Sequence, residues 1–321
     1  MDVLKRFPGI LAIALAATLF GATVWADCGS VPFRSPLSVK RLLAMELLPD
    51  GQKNVKFDPL DVVVYEPGQR GIILWNGEEQ ILLLSTELRT SVPTSLLEVI
   101  PFPTEPTVRL GDFATFEKMQ RLVMDKSMWK VASGGGVPDA QAIEDAARIT
   151  FYEKMGAHDL TVVNVRNADY FQQWVEKFLR DQGTETVVIE PEFLQIIGNY
   201  VDRGYRWFVF DTIDVAGDVR SHEPVEFRFK TDQLYYPLEI STREHGKTKV
   251  DLLLVTPEPL KGFDELAFAV RKEKSLALTH EELVTVSEDW AGFMKSPAMA
   301  MQRVNIKGNI RKMKTDFILR H

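Results

Sequence analysis

A single cysteine, Cys28, is all that the 321-residue chain contains, so no internal disulfide can staple it. The fold must therefore rest on a hydrophobic core, even in an oxidising compartment. Composition allows one, with 45% apolar and 26% charged residues, the balance of an ordinary globular protein. One cysteine and five scattered histidines exclude a cysteine-rich zinc site. No cofactor-binding or metal-ligand motif is evident.

The N-terminus carries the three parts of an export signal in order. Lys5 and Arg6 are followed by the apolar run Gly9–Phe20, and Val24-Trp25-Ala26 puts small side chains where a signal peptidase needs them. The expected cut falls after Ala26, giving an exported protein, periplasmic or extracellular, of residues 27–321. The alternative is an uncleaved membrane anchor, because Phe7 to Trp25 is 19 mostly apolar residues long. Asp27 before Cys28 argues against lipidation of that thiol. The whole chain carries −7; residues 1–26 contribute +1, leaving −8 on the mature part. Such acidity argues against nucleic acid as a partner, since phosphate binding needs concentrated positive charge.

Beyond the signal, two apolar runs, Ile72–Trp75 and Gln80–Thr86, flank Asn76-Gly77. Both turn residues accept positive φ, so a tight β-hairpin is expected there. Leu96–Phe102 reads as a further strand, and Asp112 as the cap of a helix carrying Phe116, Met119, Leu122 and Val123. Ser133–Pro138 is a glycine-rich break, and a lobe boundary is placed near 132–140. Ile149–Lys154 and Leu160–Val165 look like paired strands. Two helices follow, one capped by Asp169 and stopped at Gly183, the other opened by Pro191 and stopped at Gly204. Strands resume at Trp207–Phe210, Val225–Phe229 and Val250–Val255, with Glu226 and Arg228 alternating as if on a wet face. Thr279 and Glu282 form a capping box. Helices and strands come in blocks, which predicts an α+β fold with mainly antiparallel sheets, several packed helices and room for two lobes.

Several short motifs occur in a fixed order: Val64–Arg70, Ile72–Glu79, Glu98–Pro106, Lys154–Val162, Tyr200–Phe208 and Tyr236–Ser241. In this order the chain resembles the exported prokaryotic family catalogued as domain of unknown function 2330, over about Asp61 to Val255 and on toward the C-terminus. The resemblance implies export and a single family-type region, and it carries no catalytic assignment. Many relatives have several cysteines near the mature N-terminus, whereas this chain has Cys28 alone.

Four groups of residues are candidates for chemistry. Glu66 and Arg70 flank Pro67-Gly68, where they could orient a ligand; the competing reading is a type II turn with Gly68 at positive φ. His158-Asp159 is the acid–base candidate, although neighbours on a strand point to opposite faces. The aromatic stripes around Trp174 and Trp207 could line a groove, with core packing as the simpler reading. In residues 291–321, Lys295, Arg303, Lys307, Arg311, Lys312, Lys314 and Arg320 face only Asp316 among acids. That stretch suits peripheral contact with an anionic membrane or polymer, or else a strand edge protected by charge. With no nucleophile motif in view, the leading expectation is a non-catalytic protein that binds an envelope or extracellular partner. The rival is an enzyme whose site is assembled around His158 from distant residues.

Overall fold

The computed structural model describes residues 29–52, 56–132, 158–218, 220–243, 247–260 and 268–319. In chain order they form β1 (Gly29–Phe33), α1 (Pro36–Ala44), β2 (Val64–Trp75), β3 (Glu79–Thr90), β4 (Thr94–Phe102), β5 (Thr107–Leu110) and α2 (Phe113–Ala132). After the segment that is not described come β6 (Asp159–Asn164), α3 (Ala168–Asp181), α4 (Pro191–Asp202), β7 (Trp207–Val215), β8 (Arg220–Ser221), β9 (Val225–Lys230) and β10 (Leu234–Tyr236). The remainder is β11 (Lys247–Thr256), β12 (Val270–Lys272), β13 (Leu276–Thr279), α5 (His280–Val286), α6 (Glu288–Met294), β14 (Ala298–Asn309) and β15 (Phe317–Leu319). The class is α+β, with sheets that are antiparallel except where β2 runs parallel to β11.

The hairpin expected at Asn76-Gly77 organises the larger sheet. Gly77 takes φ +100° but Asn76 does not take positive φ as expected; instead its Oδ1 accepts the N–H groups of Glu78 at 3.0 Å and Glu79 at 2.9 Å. This turn sets Trp75 opposite Gln80, and the register runs back to Gly68 opposite Glu87. Ile73, Trp75, Leu82 and Leu84 then share one buried face, while Ile72, Leu74, Ile81 and Leu83 share the other. The runs are continuously apolar because both faces are covered.

Around that hairpin the strand order is β12-β14-β11-β2-β3-β9-β5. A smaller antiparallel sheet, ordered β1-β4-β7-β6, packs on it. Ile100, Phe102 and Val209 of the smaller sheet join the same cluster as Trp75, Leu82, Phe227 and Ile306 of the larger one. The outer face of the smaller sheet, through Leu97, Val99, Phe208 and Phe210, is covered by Phe171, Val175, Phe193 and Ile197 of α3 and α4. The outer face of the larger sheet is covered by Met119 of α2, Leu283 of α5, and Trp290 and Met294 of α6. The chain thus makes four layers, helix, sheet, sheet and helix. A two-stranded piece, β10 with β15, closes the shared core with Tyr235, Tyr236 and Phe317.

Several expectations change here. Pro67-Gly68 is no turn: β2 runs through it, and a register shift between Tyr65 and Gly68 makes a bulge. Asn167 rather than Asp169 caps α3, its Oδ1 accepting the Tyr170 N–H at 2.7 Å. Gly183 and Gly204 do end their helices at φ +85° and +91°. The polar face of β9 is partly covered, because α6 lies over it and leaves Glu226 buried and Arg228 half-buried. β14 is not a charged edge, since β11 pairs with one side and β12 and β13 with the other. β6 pairs with β7, setting Val162 opposite Val209. Its expected partner at 149–154, the break at 133–138, the export signal and Cys28 lie outside the described residues. Strands from before and after the break share both large sheets, side by side in the smaller and interleaved in the larger. No helix among the described residues is long and apolar enough to cross a membrane.

Candidate functional site

Alternation along β4 and β7 turns Leu96, Ile100, Val209 and Ile213 toward the larger sheet. Glu98 and Asp211 occupy the same phase and stand directly opposite each other in the register. Both are buried. On the facing sheet, buried Gln69 lies opposite Thr86, and Gln69 Nε2 donates to Glu66 Oε1 at 3.0 Å. A polar band therefore crosses the space between the sheets, flanked by apolar clusters on both sides.

His158 enters this band just before β6. Its Nδ1 lies 2.5 Å from Asp211 Oδ2 and its Nε2 lies 2.9 Å from the Glu223 carbonyl oxygen. The two side chains are only 3% and 4% exposed. Burial pulls the His158 pKa down, but the hydrogen bond and charge of Asp211 outweigh it and leave the pKa above the usual 6.5. Burial raises the Asp211 pKa against the opposing pull of His158. The ring of His222 stands edge-on to His158, centroids 6.2 Å apart, and its Nε2 has no hydrogen-bond partner among the described residues. Burial, then the neighbouring His158, depress the His222 pKa to about 3. Among the described residues no group of three His, Cys, Asp or Glu is arranged to hold a metal.

An open groove of about 440 Å³ lies elsewhere, at the start of α3 against the last turns of α4. Ala168, Gly198 and Val201 form its floor. Gly198 and Ala168 keep it shallow in side chain: a Cβ built on Gly198 would meet only the Ala168 Cβ, at 4.0 Å. Arg166, Arg206, Asp169 and Asp202 stand around it, all exposed. Arg166 rests at 5.9 Å from the Tyr170 ring, and among the described residues none of these four closes an ion pair. Backbone pairing of Val165 N–H with the Arg206 carbonyl, at 2.7 Å, holds the two arginine-bearing segments side by side.

The residues singled out by sequence separate. Glu66 is buried beside Gln69, whereas Arg70 pairs with Glu87, so the two do not face a common ligand. Asp159 is exposed and His158 works with Asp211 instead. Lys307 is exposed on β14 opposite Lys249; Arg311 and Lys312 sit on a short 3-10 turn, with Arg311 4.0 Å from Glu192. Trp174, half-buried on α3, stacks on Phe178 and packs on Phe210 against the core. Sequence reading missed Asp211, His222, Arg166 and Arg206. An acid at an inward position of an apolar strand, as Asp211 is between Val209 and Ile213, was the available signal for the first. The arginines gave none, because they flank elements rather than form a motif.

Fold and groove together define an α+β protein of two packed, mainly antiparallel sheets with helices on both outer faces. A family model described as an uncharacterised protein conserved in bacteria, domain of unknown function 2330, matches residues 59–262, and the chain belongs to that family. None of the curated proteins and none of the solved structures matches it. β14 and β15 lie past the matched segment yet complete the larger sheet and the core.

Proposed function

We propose that this is an exported, non-catalytic binding protein whose ligand is a small molecule carrying both a positive and a negative group, such as an amino acid or a short peptide. The observation that carries the reading is the groove: two arginines and two aspartates, none ion-paired among the described residues, beside the small side chains of Ala168 and Gly198. Arginine offers a planar fork to a carboxylate, and aspartate accepts from an ammonium group. A groove of this volume suits a small solute rather than a protein surface. His158 and Asp211 have the spacing of an oriented acid–base pair, but His158 Nε2, the nitrogen a substrate would need, already faces the Glu223 carbonyl. Residues 1–26 support export.

Two measurements test this reading. Thermal shift of the mature protein against amino acids and dipeptides should reveal a stabilising ligand, and the shift should vanish in Arg166→Glu/Arg206→Glu. Gly198→Leu, which has room to fold, should also abolish it by filling the floor. No shift with any zwitterion at millimolar concentration would remove the ligand assignment. For export, N-terminal sequencing of the protein from the extracytoplasmic fraction should begin at Asp27; recovery only from the cytoplasm would overturn it.

A further inference from the structure

We propose that His158 is a proton-loaded latch between the two sheets, which fastens the edge of the smaller one to the larger and lets go when its proton is lost. The argument starts from donors and acceptors. His158 Nε2 faces a backbone carbonyl, which can only accept, so that nitrogen carries a hydrogen. Its Nδ1 faces the Asp211 carboxyl group at 2.5 Å. With Asp211 ionised, this bond needs a second hydrogen, and the ring is then an imidazolium. A neutral ring has one N–H for two acceptors, so at least one of the two bonds must fail.

The two bonds join different sheets. Asp211 belongs to β7, and His158 opens β6, the edge strand of the smaller sheet. Glu223 lies between β8 and β9, both strands of the larger sheet. One imidazolium thus spans the gap between the layers at the β6 edge, in addition to the backbone bond from Thr90 N–H to the Ala216 carbonyl.

Asp211, and after it Glu223, favour the proton on His158. Asp211 is in contact, Glu98 on β4 stands opposite it in the same phase, and Glu66 lies in the same band on β2. On β3, Glu87 is paired with Arg70, and Thr86 gives its carbonyl to the His222 N–H. Asp159, next along β6, is exposed. Burial opposes the proton on His158, and His222 nearby stays neutral, because burial and then the neighbouring His158 disfavour its charge. Buried and without a partner at Nε2, it cannot relieve His158 of its proton through a direct bond.

The sign follows from linkage. The folded pKa of His158 is above its unfolded value, so its contribution is complete below about pH 6.5 and is lost as pH rises through the folded midpoint. The protein as secreted is tested by nitrogen-15 NMR of its histidines from pH 5 to 10, with amide exchange on the same samples. At pH 7.5, His158 should show both nitrogens protonated. As it titrates, amides of β6 and of residues 223–225 should lose protection on the order of tenfold relative to those at the centre of β2 and β3. Asp211→Asn should bring the His158 midpoint below 6.5. A neutral, single-tautomer His158 at pH 7.5 would overturn the charge assignment. Deprotonation with unchanged relative protection of β6 would overturn the latch. Both outcomes are read on the unaltered protein, so the result stands whether or not Asp211→Asn folds, and neither depends on the ligand of the groove.

Discussion

The indole N–H of Trp290 donates to Glu226 Oε2 at 3.1 Å, so an α6 aromatic and a β9 carboxylate hold the helix layer onto the larger sheet. Arg109 and Arg228 reach the same carboxylate from β5 and β9, at 2.8 and 2.6 Å, and both also reach Asp289 at the start of α6. Replacing Glu226 by Leu would strand the buried indole N–H and leave two guanidinium groups to exposed Asp289 alone. The expected loss in urea unfolding is about 3 kcal/mol, because removing one partner of a buried charged network is costlier than the network's net worth. Trp290→Phe, which keeps most of the packing, should cost less, about 1–2 kcal/mol.

Asp316 ties the C-terminal segment to α4 and to the turn after β10. Its Oδ1 accepts the Tyr200 O–H at 2.5 Å and the N–H groups of Leu238 and Glu239 at 2.9 Å each. Burial nonetheless pushes its pKa up to about 6, against those donors and Arg203. A raised folded pKa means the native state binds the extra proton between the unfolded value, near 3.8, and about 6. This group's contribution should therefore fall as pH rises across that window. Asp316→Asn should flatten that component, visible as the difference between variant and parent unfolding free energies measured from pH 4 to 7.

His222 has the opposite sign. Its folded pKa, about 3, is below the unfolded 6.5, so the unfolded chain takes the proton first and stability drains as pH falls from 6.5 toward 3. His222→Leu forfeits no side-chain hydrogen bond at Nε2. Relative to the parent, the variant should gain about 2 kcal/mol on moving from pH 8 to pH 5, read by denaturant unfolding at the two values. An unchanged difference between those pH values would show that His222 titrates normally in the fold.

Gly77 offers a purely local test. A Cβ there would meet nothing within 4 Å, so only the positive φ opposes a side chain. Gly77→Ala should cost about 1 kcal/mol, and Gly77→Asn less, because asparagine tolerates the left-handed region. Thermal unfolding of the two variants decides it; an equal loss in both would point to a cause other than backbone conformation.

The sequence was most legible where one short-range rule decides. Asn76-Gly77, Pro191, Gly183, Gly204 and the Thr279–Glu282 box each act within a turn, and each stands where expected. It misled where the covering layer comes from far along the chain. Glu226 and Arg228 read as a wet face because nothing within β9 reveals that α6, some 60 residues on, lies over them. Pro67-Gly68 has turn chemistry, yet Gly68 pairs with Glu87 of β3 and β11 takes up pairing from Gln69 onward, which keeps it in a bulged strand. The histidine at 158 was visible as a candidate, but its carboxylate partner is Asp211, 53 residues away, and only the register of β6 on β7 brings them together.

That long-range construction sets a timetable. β2 is among the first strands to be synthesised, yet one of its edges pairs with β11, which in turn needs β14, residues 298–309, on its far side. Val304 and Ile306 of β14 are part of the same core as Ile73 and Trp75 of the first hairpin. A nascent chain that has emerged as far as residue 297 still lacks a wall of its interior. Completion of the sheet must wait for residues 298–309, because pairings of large sequence separation form late. The first hairpin is therefore made long before β14, the strand that walls in its core, exists to cover it.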